Sequence, residues 1–317
     1  MKRLRVNIGI CTLDRPGGLE RALAGLDAQR LRRMRDEDIS VTVVDNSAAR
    51  SARDAAMRYA GQGRFAISYV AEPRRGLSNA RNAVLAHALP QADFLAFLDD
   101  DEAPAPGWIE ALLLAAEAGG HAAVVGPVHP LFKGLPARWA LDAGLYAMVP
   151  ALRDDGQAVD GYTGNCLLRC AVLRELDLAF DPSFNDTGGE DTHFFAALRK
   201  AGHGLGYAPE AVVHEFVDPA RLQPAWLMRR WYRTGIIEAV LRRRHAGMRG
   251  RAGALGGGVL RLGGGGLKAI MAASGHLRGD KAAYLKAGYT LMRGAGLLAG
   301  AFGGTYREYA KSLYRKR

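Results

Sequence analysis

Four short apolar runs, separated by segments with a helical stripe, constrain this chain more than any other feature. The runs are Arg5–Cys11, Val41–Val44, Phe65–Val70 and Phe94–Leu98, each of strand length and rich in β-branched or aromatic residues. Between them, Gly17–Gln29 carries leucines at 19, 23 and 26, and helices are expected near Ala49–Tyr59 and over Gly76–Leu89. Strands spaced by helices imply βαβ units and a parallel sheet. In such sheets ligands sit beyond the carboxyl ends of the strands. Thr12, Asp45 and Asp99-Asp100-Asp101 all fall at such ends, so they are expected to converge although far apart in sequence.

Three adjacent carboxylates after a buried strand repel one another. The cluster calls for a cation, or for donors that replace one. Hard oxygen ligands suit magnesium or manganese, and these ions usually carry a phosphate as a further ligand. The structural alternative is a solvated acidic turn ahead of Pro104 and Pro106.

Further along, Ala122–Val128 reads as a strand, and residues 129–160 as an irregular segment over the site. Gly161–Asn165 leads into an apolar strand at Cys166–Leu168. Gly188-Gly189-Glu190-Asp191 precedes a helix with Phe194, Phe195 and Leu198 on its apolar side, and Ala211–Val213 runs into His214. Beyond about Pro219 the character changes. Residues 221–317 hold 20 Lys+Arg against 3 Asp+Glu, a balance of +17, which leaves −6 for residues 1–220 of a chain whose total is +11. A basic segment attracts anionic lipid or nucleic acid, but the acidic body argues against a grip on nucleic acid along the whole length. A Trp- and Arg-rich helix is expected over 224–245, and the glycine runs 256–258 and 263–266 are expected to break the segment beyond it. No stretch reaches the ~20 apolar residues of a spanning helix. The run Val6–Leu13 is too short and polar for a signal peptide, and three cysteines point to reduced thiols rather than a disulfide framework.

The segments Cys11-Thr12-Leu13-Asp14-Arg15-Pro16, Val43-Val44-Asp45-Asn46-Ser47, Gly76–Asn82, Phe97–Glu102, Gly188–Asp191 and His214, in this order and spacing, resemble the family 2 glycosyltransferases. The resemblance covers residues 5 to about 240 and implies a GT-A nucleotide-sugar fold. By that resemblance Asp45 would contact the nucleotide base with Thr12 beside it, and Arg81 would line the nucleotide pocket. Asp99 and Asp100 would serve the ribose, and Asp101 would hold a divalent metal, Mn2+ or Mg2+, on the diphosphate. Asp191 would be the base of an acceptor-activating Glu190-Asp191 pair, and His214 a metal or diphosphate contact. Asn165 and Trp231 are weaker candidates for the acceptor or donor sugar. Arg229-Arg230-Trp231 is similar to the tail of the Gln-x-x-Arg-Trp motif of processive relatives, but Leu227 stands where the glutamine belongs. Each residue also has a structural reading: Glu190-Asp191 as dipole-complementing charge, Asp45 as a turn or cap aspartate, Arg81 as a solvated helix face, His214 as a structural histidine.

The expectation is therefore an α/β protein with a GT-A fold, a doubly wound, mainly parallel sheet flanked by helices, and a basic helical C-terminal extension. Its boundaries would be 1–220 for the catalytic domain (1–102 nucleotide-binding, 103–220 acceptor and catalytic) and 221–317 for the extension. It would transfer one sugar from a nucleotide diphosphate sugar to a glycan or lipid-linked acceptor, with inversion, in surface polysaccharide or glycolipid synthesis. The expected location is cytoplasmic and peripheral on the inner face of the cell membrane, with an anionic membrane surface as a further partner and no nucleic acid. The rivals are a sugar nucleotidyltransferase, whose glycine-rich triphosphate loop Leu13–Gly18 matches poorly, and a non-catalytic nucleotide-sugar-binding protein.

Overall fold

The computed structural model describes residues 3–134, 141, 145–276 and 281–306. The chain forms two units, one of Met1–Leu131, Ala147–Asn185 and Glu190–Phe216, the other of Phe132–Tyr146, Asp186–Gly189 and Val217–Arg317.

The first unit is built on strands β1 (Val6–Thr12), β2 (Ile39–Asp45), β3 (Ala66–Ala71), β4 (Phe94–Asp99), β6 (Ala123–Val125), β8 (Asn165–Arg169) and β9 (Leu205–Tyr207), in the order β3-β2-β1-β4-β8-β6-β9. The first four are mutually parallel, and β8 runs antiparallel to both β4 and β6. The chain winds outward from β1 to β3, then returns to lay β4 on the other side of β1. That reversal is where a doubly wound sheet opens a crevice at its strand ends, and there Cys11 stands opposite Asp99 and Thr12 opposite Asp45. A small second sheet of β5 (Glu102–Pro104), β10 (Val213–Val217) and β7 (Val128–Phe132), in the order β5-β10-β7, adjoins the acidic cluster.

Both faces of the large sheet are covered. Phe94, Ala96 and Leu98 pack with helices α1 (Pro16–Asp27) and α4 (Trp108–Gly119), and Leu95 and Phe97 pack with α3 (Leu77–Ala88) and α6 (Glu190–Lys200), all five strand residues being buried. A strand buried on both faces reads as a continuous apolar run, which is why β4 was legible. Two shorter helices, α2 (Arg53–Gln62) and α5 (Cys170–Glu175), complete the layer structure.

Several expectations are corrected. The run 122–128 is two strands, because Gly126-Pro127 breaks it and the Gly126 N–H turns to the Asn165 carbonyl at 3.1 Å. Helix α4 carried no clear stripe, since it is apolar nearly all round. Within 129–160, β7 is ordered strand and Leu152 bridges Ala158, while residues 135–140 and 142–144 of that segment lie outside the described residues.

The second unit is helical. The span α7 (Pro224–His276) is two helices joined at a kink at Gly247, whose φ of 53° and ψ of −125° are non-helical, and it packs along α8 (Lys281–Ala301). The glycine runs 256–258 and 263–266 do not break it. They replace side chains where the helices meet: a Cβ on Gly258 would stand 2.6 Å from Leu298, and one on Gly265 2.8 Å from Leu291. Closer still are Gly235 and Gly296, where a Cβ on Gly296 would lie 2.0 Å from the Tyr232 carbonyl oxygen. Gly296→Ala should therefore lower stability by about 1–3 kcal/mol through overpacking. Gly264→Ala, in open space, should raise it by about 0.5–1 kcal/mol. Thermal unfolding of both variants checks the pair, and equal effects would mean that the contact at Gly296 is not tight.

Glu238 is the acidic residue of the described helical span 224–276. It accepts from Arg242 at 2.7 Å, Arg261 at 3.1 Å and Arg293 at 2.7 Å. Burial works against its charge, but Arg293 and Arg261 outweigh burial and hold its carboxyl below the usual range.

Candidate active site

The strand ends meet as expected, and the loops that leave them are fixed by side-chain hydrogen bonds. The Asp45 carboxylate is fully buried and accepts from the Ser47 N–H at 2.9 Å, the Ala52 N–H at 2.8 Å and the Tyr69 hydroxyl at 3.0 Å. Burial and this bond push the Tyr69 phenol up to about 12. Asn46 donates to the Glu72 and Arg74 carbonyls and accepts from the Gly76 N–H at 2.8 Å. Gly76 takes φ 137°, where a side chain would be strained and would strike Asn185. The β2 loop is thus tied to the start of α3, the helix that carries Arg81.

The three aspartates have different surroundings. Asp100 is buried, accepting from Thr12 Oγ1 at 2.7 Å and from Arg15 at 3.3 Å. Asp101 accepts from the same Arg15 nitrogen at 3.0 Å. The side chain of Asp99 is 40% exposed and faces the Arg81 guanidinium at 3.8 Å. Its backbone N–H donates to Glu102 Oε2 at 2.8 Å. Although part of the Asp99 side chain meets solvent, its carboxyl sits among protein atoms and neighbouring acids, and that burial pushes it up to about 7 against the pull of Arg81, with Asp101, Asp100 and Glu215 adding to the rise. Asp100 is pushed to about 6, again chiefly by burial, and Glu102 well above the carboxylate range. Carboxyls raised in the fold bind protons more tightly folded than unfolded. Their stabilisation is present at low pH and lost as pH rises through about 6 to 7. The donor-free protein should therefore melt at lower temperature as pH rises from about 5.5 to about 8, and Asp99→Asn should flatten that fall. An unchanged slope in the variant would remove Asp99 as its source.

Arg81 joins this cluster to the other half of the site. It is 4% exposed, and it donates to Glu190 Oε1 while facing Asp99. The alternative of a solvated helix face therefore does not hold for Arg81, which forms a buried ion pair. Glu190 is likewise buried, and its second oxygen, Oε2, has no hydrogen-bond partner. Burial raises the Glu190 carboxyl, with Arg81 opposing. Gly188 and Gly189, at φ 73° and 97°, precede α6, so Glu190 and Asp191 occupy its first turn. Asp191 is half-buried, and its Oδ1 accepts from the Thr192 N–H at 2.6 Å and the Thr192 hydroxyl at 3.2 Å.

The remaining candidates are placed differently. His214 stands opposite Ala103 on the strand beside the cluster, with its ring 6.4 Å from His129 and its Nδ1 buried without a partner. Burial, then His129, lowers its pKa. Its neighbour Glu215 stands opposite Glu102 and adds charge to Asp99. Asn165 is fully buried, with Oδ1 accepting from the Trp108 indole at 2.8 Å and Nδ2 donating to the Pro127 and Ala211 carbonyls. All of these bonds go to the scaffold. Trp231 is buried in the helical unit, its ring edge-on to Tyr289 at 5.6 Å. Arg15, Glu102 and Glu215 also belong to the aspartate cluster, although no sequence signal marks a role for Arg15 or Glu215. Glu102 was findable, since a carboxylate three residues after a strand end can turn back to its N–H.

Among the described residues no three His, Cys, Asp or Glu side chains converge as a metal cage. The donor set nevertheless suits a magnesium or manganese ion completed by phosphate, which needs only one or two carboxylates. The hard oxygens of Asp101, crowded by the neighbouring acids and with the Arg15 guanidinium already drawn to them, are a cation-seeking arrangement.

Residues 7–177 match the family described as Glycosyl transferase family 2. Succinoglycan biosynthesis protein ExoM of Rhizobium meliloti (strain 1021) is 38% identical over 234 residues, covering 73% of this chain and 73% of its own. Succinoglycan biosynthesis protein ExoW of the same strain is 36% identical over 91 residues, covering 29% of this chain and 27% of its own. Two solved structures of S. aureus TarS share the fold at 13% identity. One has a TM-score of 0.53 and covers 75% of this chain, and the other, of residues 1–349, has 0.50 and covers 76%. This chain spans 39% and 66% of those two TarS chains.

Proposed function

This chain belongs to glycosyl transferase family 2, and on that premise we propose that it moves one sugar from a nucleotide diphosphate donor to an acceptor hydroxyl, with inversion. The observation that carries the reading is the buried Arg81, which touches both Glu190 of the acceptor-activating pair and Asp99 at the strand end. Donor-side and acceptor-side carboxylates thereby share one guanidinium.

In this reading the nucleotide lies beyond the carboxyl ends of β1 and β2. Asp45, with its oxygens engaged by Ser47, Ala52 and Tyr69, serves the base by shaping the loop around it. Thr12 and Asp100 form one hydrogen-bonded edge on the ribose side, with Asp99 next to them. Asp101 would hold a magnesium or manganese ion with help from His214 and the diphosphate, and the ion would neutralise charge on the departing group. Asp191 takes the acceptor proton as the acceptor oxygen bonds to the anomeric carbon and the bond to the diphosphate oxygen breaks. Similarity to the succinoglycan biosynthesis protein favours a growing glycan or lipid-linked sugar in polysaccharide synthesis as the acceptor. A lipid-linked acceptor would set the reaction at the cytoplasmic face of a membrane.

The test is a donor screen. Each nucleotide sugar is incubated with manganese, and released nucleotide diphosphate is measured. One donor, or a few, should be hydrolysed, and chelator should stop the release. Turnover of sugar phosphate with nucleoside triphosphate, and of no nucleotide sugar, would overturn the reading in favour of nucleotidyl transfer.

A further inference from the structure

Helix α8 and the residue after it carry Leu291, Met292, Leu297, Leu298 and Phe302, an apolar set of the kind an interfacial helix needs. The fold turns most of that set inward, although Phe302 is 70% exposed. Leu297 is fully buried, and Leu291 and Leu298 fill the spaces opposite Gly265 and Gly258 of α7. The exposed apolar surface lies instead on the second half of α7. Every exposed residue from Ala252 to Leu267 is apolar or glycine: Ala252, Gly253, Gly256, Val259, Leu260, Gly263, Gly264 and Leu267. Their spacing keeps them on one side of the helix. Leu260 is 77% exposed, Ile270 72%, Val259 62% and Leu267 60%. Contiguous apolar surface of this kind marks an interaction site.

The charge around the stripe selects the occupant. Residues 224–276 hold ten Lys+Arg and one acidic residue, and that residue, Glu238, is neutralised by three arginines. Arg249 and Lys268 are exposed at the two ends of the stripe. An apolar helical face with basic flanks and no balancing acid matches an anionic lipid interface. No helix among the described residues is long and apolar enough to cross a membrane. We propose that the exposed face of residues 249–271 is a peripheral docking surface for anionic lipid, with Val259, Leu260, Leu267 and Ile270 entering the headgroup layer. The claim concerns the helical unit and is independent of the donor assignment above.

The test is co-sedimentation of the full chain with vesicles of phosphatidylcholine alone and with about one third phosphatidylglycerol, at low and high salt. Binding should favour the anionic vesicles and fall with salt. The pair Leu260→Ser and Leu267→Ser should weaken binding at least about tenfold while the melting temperature and the donor hydrolysis rate stay unchanged. A second variant, Leu260→Trp, should gain, over the wild-type signal, an emission component that lipid shifts to the blue and brominated lipid quenches. Equal binding to both vesicle types, or an added indole emission unaltered by lipid, overturns the proposal. So does a wild-type dimer that the serine pair dissociates without any change in vesicle binding, which would make the stripe a contact between two copies.

Discussion

Asp191→Asn should lower turnover by about 10²–10⁴-fold and leave nucleotide affinity within about twofold. The two carboxylates that open α6 have different environments, and these assign different work. Glu190 is buried, bonded to Arg81 and held away from solvent, so it positions. Asp191 is half-buried, with Oδ1 engaged by Thr192, while Oδ2 makes no hydrogen bond among the described residues. Asparagine keeps the Oδ1 acceptor and therefore the first turn of the helix, but its amide nitrogen cannot take a proton from a hydroxyl. Rate and binding are separated by measuring turnover of the donor found in the screen alongside calorimetric titration of the nucleotide diphosphate. A parallel loss of affinity would make Asp191 a donor ligand. Unchanged turnover would move the proton acceptor to another group.

The alternation of β1 to β4 with α1 to α3 was legible because each strand is a compact apolar run with a polar end, and each helix keeps a stripe. What escaped did so for definable reasons. β9 is three residues long, too short for a period. α4 is apolar over most of its surface, so no face stands out. The glycine-rich part of α7 contradicts intrinsic propensity, since glycine costs about 1 kcal/mol per helical position. The close approach of α8 compensates at Gly258 and Gly265, a tertiary fact that no local window contains.

The site divides along the same line. Positions set by strand ends, Thr12, Asp45 and the aspartates, could be read from the chain, because topology alone brings them together. Partnerships could not. Nothing in the local sequence says that Arg81 and Glu190, 109 residues apart, share a buried bond. Nor does it say that Arg15 lies on Asp100 and Asp101. Nor does it say that three buried partners hold the Asn165 side chain within the scaffold.

Arg81→Met should cost about 3–5 kcal/mol of stability, because it leaves the Glu190 carboxylate buried without its cation. Burial works against the charge of Arg81 too, yet Glu190, Asp99 and Asp191 outweigh it and keep the guanidinium protonated. Methionine preserves most of the volume, so the loss reports charge rather than packing. Glu190→Gln made in the same chain removes the stranded carboxylate and should restore a substantial part of the stability, as expected for a directly coupled pair. Arg81→Lys tests geometry. One ammonium keeps the charge but not the planar fork that reaches Glu190 and Asp99 together. It should unfold close to wild type while transferring sugar more slowly. The readout is the urea midpoint of each variant, followed by donor turnover in those that fold. If Arg81→Met loses less than about 1 kcal/mol, Glu190 is protonated in the resting enzyme and the ion pair does not hold the two halves of the site together.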